Sequence, residues 1–150
     1  MMIRKFKNDD LLDIMEIWLN ANIDAHSFIS ADYWKNNFDT VKQLIPQAEV
    51  FVYEEDGNVL GFIGLMDEYI AGIFVDKLKR SNGIGFSLLH MAKEKKNRLV
   101  LSVYSKNERA IQFYKKAGFH IKECKLDEET KEEEYIMYWE RDKFSHLKIN

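Results

Sequence analysis

The chain has 150 residues, 46% hydrophobic and 31% charged, a length that fits one domain with a core of its own. One proline and seven glycines exclude collagen-like and low-complexity classes, and 22 Lys+Arg against 25 Asp+Glu give a net charge of -3, where a dedicated nucleic-acid binder carries a positive excess. The single cysteine, Cys124, excludes an intrachain disulfide, and four scattered histidines form no ligand pair, so no metal is expected.

Residues 2–6 alternate in polarity and predict a first strand. Asn8 or Asp9 caps a helix over LLDIMEIWLNAN, in which Leu11, Ile14, Met15 and Trp18 share one face. A break covers residues 23–30. Ser30 or Asp32 then starts a second helix, interrupted near residues 36–39 and ended by Pro46. Residues 50–54 and 59–66 read as strands around the Asp56-Gly57 hairpin turn, and residues 69–75 as a third strand. The pattern then changes to a helix over 83–95, a buried strand over 98–104, and a helix over 107–117 ended by Gly118. Strands over 119–124 and 134–140 close the chain, joined by the acidic run KLDEETKEEE as a solvated loop, and the tail after Arg141 is expected to fray. Cys124 reads as an inert small hydrophobe. The order β-α-α-β-β-β-α-β-α-β-β predicts one α/β domain, a mixed sheet with helices on both faces. MMIRKFKNDD holds no apolar run of signal-peptide kind, and residues 59–66 fall far short of the ~20 needed to span a bilayer. A cytoplasmic protein without membrane contact is therefore expected.

The stretch IFVDKLKRSNGIGFSLLHMA, residues 73–92, carries the chemistry. It runs strand, basic turn, glycines, helix. Gly83 and Gly85 let a ligand approach the backbone where the first helical N–H groups have no partner. With the helix dipole and with Lys77, Lys79 and Arg80, this is a cradle for a phosphate or pyrophosphate. A P-loop would need Lys-Ser/Thr where Phe86-Ser87 stands, and a dinucleotide fingerprint would need glycine at Leu88. The other reading is that both glycines only shape a turn.

Arg80-x-x-Gly83-x-Gly85 resembles the Q/R-x-x-G-x-G/A signature of the GNAT superfamily of N-acetyltransferases. The block from Asn107 through Ala110, Phe113 and Tyr114 to Gly118-Phe119 resembles that family's N-x-x-A-x-x-F-Y-x-x-x-G-F segment. HSFI (26–29), Tyr33-Trp34, GFIGL (61–65) and YIAGIFV (69–75) resemble its small bacterial YjaB/YiaC-type branch. The resemblance implies one N-acetyltransferase domain over 1–150, with a mostly antiparallel sheet of six to seven strands and a cofactor wedge between the fourth and fifth. It implies acetyl-CoA as donor. Arg80, Ser81, Asn82, Gly83, Ile84, Gly85 and Phe86 would hold the pyrophosphate, the backbone of Ile73, Phe74 and Val75 the pantetheine arm, and Asn107 would touch the cofactor from the next helix. The acceptor would be a primary amine: first a peptide or protein lysine or N-terminus, next a small-molecule amine. No nucleic-acid or membrane partner is expected, and the chain would be a monomer or homodimer. The alternative is a non-catalytic acyl-CoA sensor with the same cradle.

Acetyl transfer needs a neutral amine, a stabilised oxyanion and a thiolate that can leave. A lysine amine has a pKa of about 10.4, so a base helps at neutral pH. A backbone N–H at Ile73 or Phe74 suits the oxyanion. Tyr114 matches the family tyrosine that protonates the thiolate, although the stripe Ala110, Ile111, Tyr114, Ala117 also fits a core aromatic. Glu68 or Asp67 stands where the family often places a base, or is only a turn residue. His26, Phe28, Trp34 and Tyr69 are candidates for the acceptor wall, Tyr104 is a further one, and each also fits a structural role. Asp9, Asp10, Asp13, Glu16 and Asp24 would suit a cationic acceptor or simply form a solvated helix face.

Overall fold

The structure is a computed structural model that describes residues 2–80 and 82–142. The expected contact at Ser81 and the expected fraying of the tail beyond Asp142 lie outside the described residues.

The strands are β1 (Met2–Lys5), β2 (Glu49–Glu55), β3 (Asn58–Met66), β4 (Tyr69–Val75), β5 (Arg98–Tyr104), β6 (His120–Asp127) and β7 (Glu132–Glu140). They form one sheet in the order β1-β2-β3-β4-β5-β7-β6. Only β4 and β5 run parallel; every other neighbouring pair is antiparallel. The helices are α1 (Leu11–Ala25), α2 (Ala31–Leu44), α3 (Ile84–Lys95) and α4 (Glu108–Lys116).

The strands alternate between two cores, because successive side chains of a strand point to opposite faces. Val50 and Val52 join Ile14, Met15, Trp18, Trp34 and Phe62 under α1 and α2. Phe51 and Tyr53 join Ile63, Leu65, Leu88, Leu99 and Leu101 under α3 and α4. Both faces of the sheet are thus covered by helices.

Local chemistry sets the helix ends. Ser30 caps α2, its hydroxyl accepting from the Asp32 N–H at 3.2 Å. The expected interruption near residues 36–39 is absent, and α2 runs unbroken to Leu44. Asn37 turns its amide back to the Tyr33 carbonyl (2.7 Å) instead of breaking the backbone ladder. Gly61 on β3 lies behind the start of α3. A Cβ there would stand 2.9 Å from the Phe74 carbonyl oxygen and 3.1 Å from Ile84 Cγ2, so glycine lets α3 seat tightly on the strands that carry the site.

Two further expectations are corrected. KLDEETKEEE is not a solvated loop, since most of it extends β6 and β7 and only residues 128–131 turn. Long-range bonds order it: Tyr104 donates to Asp127 (2.7 Å) and Tyr33 to Glu129 (2.9 Å). Cys124 is exposed, because β6 is an edge strand covered on neither side chain face along most of its length.

Candidate active site

β4 and β5 pair only at Tyr69 with Val100 and Ile70 with Leu101. Beyond that they part. β4 also carries a bulge: Gly64 faces Gly72 and Leu65 faces Ile70, which leaves Ala71 over. The bulge turns both Ile70 and Ile73 to the α3/α4 core. From Ala71 to Val75 one edge of β4 has no strand partner, so alternate N–H and C=O groups there face open space. A cavity of about 530 Å³ fills the opening, walled by β4, the end of α1, the start of α3 and one face of α4.

The sequence-expected residues Ile73, Phe74, Val75, Arg80, Gly83, Ile84, Gly85, Phe86, Asn107, Tyr114 and His26 all line this cavity. Asn82 is exposed in the loop beside it and is not in its wall. Gly83 takes φ 78° as the N-cap of α3 and would meet nothing if given a Cβ. The left-handed backbone, rather than crowding, therefore calls for glycine there. The first N–H groups of α3 are left without helical partners at the cavity, with the positive end of the dipole behind them.

Arg80 and Lys77 are both held by Asp24 of α1, at 2.5 and 3.4 Å. The Arg80 hydrogen bond and charge keep the Asp24 carboxyl below the usual carboxylate range. Asp24 is therefore committed to the basic loop rather than to an acceptor. Asp10, also expected on an acidic face, is buried and bonded to Arg4.

Tyr114 combines both sequence readings. Its ring packs in the core, 5.1 Å from Phe113 and 5.5 Å from Phe119. Its hydroxyl makes no hydrogen bond among the described residues. Burial, with the Tyr69 phenol adding to it, pushes the Tyr114 phenol up, so it stays protonated at neutral pH. Asn107 caps α4, its Oδ1 accepting from the Ala110 N–H at 3.2 Å.

The other expected residues are placed differently. Glu68 accepts from Arg98 Nε at 2.9 Å at the closed end of the strand pair and does not line the cavity. No carboxylate lines it among the described residues. Tyr69 donates to Ser102 Oγ at 3.2 Å on the sheet face opposite α4. Trp34 belongs to the α1/α2 core and stacks behind His26, so the ring expected in an acceptor wall is packing instead. Phe28 and Tyr104 stand edge-on to His26, at 5.7 and 5.2 Å.

Sequence reasoning missed Arg109, Gln112 and Lys116, which line the cavity with Phe113. Their spacing of three, one and three puts them on one face of α4, a helical period already visible once Asn107 is taken as its cap. Among the described residues no group of three or more His, Cys, Asp or Glu is arranged to hold a metal ion, and no helix is long and apolar enough to cross a membrane.

A sheet split at one parallel strand pair, with a glycine-opened helix aimed at the split, is the architecture of an acetyltransferase. Residues 46–121 match the family model described as the acetyltransferase (GNAT) domain. The chain is 37% identical over 140 residues to the peptidyl-lysine N-acetyltransferase YiaC of Escherichia coli, covering 92% of this chain and 96% of that one. The solution structure of apo-form YjaB from Escherichia coli superposes with a TM-score of 0.83 at 26% identity, covering 94% of this chain and 98% of that one. The structure of yncA from Salmonella typhimurium with its cofactor acetyl-CoA shares the fold, with a TM-score of 0.67 at 20% identity over 100% of this chain and 98% of that one. This chain belongs to the GNAT family of N-acetyltransferases.

Proposed function

We propose that this enzyme moves the acetyl group of acetyl-CoA to a primary amine, above all the side-chain amine of a peptidyl lysine or a peptide N-terminus. One observation carries the reading: a single cavity joins the open N-terminus of α3, the unpaired edge of β4 and Tyr114, whose hydroxyl is unbonded among the described residues. YiaC, a peptidyl-lysine N-acetyltransferase, and yncA, determined with acetyl-CoA, support it from outside the chain.

In this reading Arg80, Gly83, Ile84, Gly85 and Phe86 take the pyrophosphate, and the backbone of Ile73, Phe74 and Val75 takes the pantetheine arm. Asn107 closes the site from α4. Bound there, acetyl-CoA supplies an activated acetyl group on a thiol leaving group. The β4 N–H of Ile73, which the register turns to the open edge while that of Phe74 faces β3, meets the oxygen on which charge develops. Tyr114 gives its proton to the departing sulfur. A free phenol, at about 10, is a weaker acid than a free thiol, at about 8.5. Burial raises the Tyr114 phenol further, so the transfer would run toward the sulfur only where the cavity raised the basicity of the thiolate as well. Phe28 and Tyr69 contact the acceptor. Glu68 lies outside the cavity on Arg98, so in this reading the amine sheds its proton to water.

Acetyl-CoA at about 100 times its dissociation constant adds roughly 2.7 kcal/mol, which for a domain of this size is a rise in Tm of roughly 5–11 °C. NAD and ATP are expected to give no comparable rise. Absence of a shift at millimolar acetyl-CoA would sink the cofactor reading. CoA release with a lysine peptide then separates enzyme from sensor.

Asp24 gives a second prediction. Its carboxylate competes with pyrophosphate for Arg80 and repels it, so Asp24→Asn is expected to tighten acetyl-CoA binding several-fold, about the worth of one exposed ion pair, and most at low salt. Calorimetry at two ionic strengths reads this. Weaker binding in the variant would instead make Asp24 the residue that aims Arg80.

A further inference from the structure

We infer that His26 is a positioning residue: its bare Nε2 accepts from the Asn107 side-chain amide and fixes that amide at the wall of the wedge. The inference rests on reading the wedge as the acetyl-CoA site.

The hydrogen bonds decide the tautomer. Asn107 Oδ1 is taken by the Ala110 N–H at the start of α4. The amide is thereby oriented, and its Nδ2 is the atom 3.2 Å from His26 Nε2. An amide nitrogen only donates, so Nε2 must offer a lone pair and the ring proton sits on Nδ1. Nδ1 is itself buried and makes no hydrogen bond among the described residues. A proton added at Nε2 would face donor against donor. It would break the link or force the amide to flip and uncap α4.

The surroundings favour the same state. The imidazole stacks on Trp34 at 5.2 Å and meets Phe28 and Tyr104 edge-on. Burial lowers its pKa, which keeps it neutral at neutral pH. The ionisable groups on the packed elements are mostly engaged elsewhere. Asp24 on α1 holds Arg80, and Tyr33 on α2 donates to Glu129. Tyr104 on β5 donates to Asp127, and Lys106 in the following loop pairs with Glu132. Arg109 on α4 is exposed and lines the wedge. None of these supplies a carboxylate to His26 that would stabilise its cation.

His26 caps the C-terminus of α1, and Asn107 caps the N-terminus of α4. Their bond ties together the connection between the first two helices and the far wall of the wedge. The Asn107 amide has a second N–H left over, held in place for a ligand. A neutral His26 with a bonded Nε2 does not act as general base.

The test begins with nitrogen NMR of the imidazole in the ligand-free protein. The expected result is a protonated Nδ1 and a bare Nε2 at neutral pH, with the ring titrating below the ordinary histidine value. Asn107→Asp keeps the cap oxygen but replaces the donor by an acceptor. His26 should then carry a proton on Nε2 and titrate above the ordinary value. His26→Phe keeps the ring stack without the acceptor, and His26→Gln restores an acceptor oxygen. Calorimetry with acetyl-CoA should show about 3- to 10-fold weaker binding for the first, the worth of one neutral hydrogen bond, and near wild-type binding for the second. An Nε2–H tautomer in the wild type, an unmoved titration in Asn107→Asp, or unchanged binding in His26→Phe would each overturn the inference. The NMR readout needs no ligand, so a chain that failed to bind acetyl-CoA would fail the functional reading and still answer the question about His26.

Discussion

Tyr114→Phe is expected to lower turnover by about 10²–10⁴-fold, the range a positioned acid contributes, while leaving the fold at least as stable. The two halves of that expectation come from different atoms of one side chain. The ring fills the core between Phe113 and Phe119, and phenylalanine keeps it. Tyr114 also lines the cavity, and its hydroxyl is bonded to nothing among the described residues, so its removal loses no protein hydrogen bond. A thermal melt should therefore show no fall in Tm, and acetyl-CoA affinity should hold within a few-fold. Only the step in which sulfur departs should slow. The pH profile sharpens the reading. A lysine acceptor gains its neutral form toward about pH 10.4, so rate should rise with pH in both proteins. The Tyr114 phenol is pushed above its ordinary value and stays protonated across that rise, so the wild type should show no alkaline fall from this group. Unchanged turnover in the variant would mean that the thiolate leaves without a proton from Tyr114.

What the sequence made legible was local. Gly83, Gly85 and Arg80 lie within one turn of chain, and the Asn107 block lies within one helix, so their spacing already fixes which backbone groups they present. The mixed sheet followed from element order, and the wedge between the fourth and fifth strands from the family resemblance alone. What stayed hidden depends on partners far along the chain. The acidic run at 125–134 has the composition of a loop, and its order comes from tyrosine hydroxyls 96 and 23 residues away. Asp24 reads as a solvated helix residue until Arg80, 56 residues on, is brought beside it. Asn36 and Asn37 read as a helix break because asparagine competes for backbone groups, whereas packing of Trp34 and Phe38 against Trp18 holds α2 together. His26 is ambiguous in sequence for the same reason, since the residue that decides its proton lies 81 positions later.

The largest loss of stability is expected from Arg4→Ala, a change far from the wedge. Arg4 on β1 forks both nitrogens onto Asp10 at 2.9 Å and reaches Glu54 on β2 at 2.9 Å. Asp10 also accepts from the Lys7 N–H at 2.7 Å, so the buried carboxylate anchors the turn that leads into α1. Removing the guanidinium leaves that carboxylate buried and without its counter-ion, a loss of about 3–5 kcal/mol and roughly 6–20 °C in Tm. The pH dependence follows in sign. In the wild type the Arg4 bond lowers the Asp10 pKa, so its contribution is full above the unfolded value of about 3.9 and fades as pH falls through the lowered folded value. In the variant, burial without the Arg4 counter-ion raises the Asp10 pKa relative to the wild type, with the Lys7 N–H as the remaining partner, and protonation relieves the penalty on acidification. The stability gap between the two proteins should therefore be widest near neutrality and close as pH falls through the carboxylate range. A gap that stays constant with pH would assign the loss to packing of the Arg4 stem rather than to charge. The effect should also reach the site, because α1 is anchored by Asp10 at one end and presents Asp24 and the His26 cap at the other. Weaker acetyl-CoA binding in a folded Arg4→Ala protein, measured well below its Tm, is the expected sign that the wedge depends on how α1 is seated.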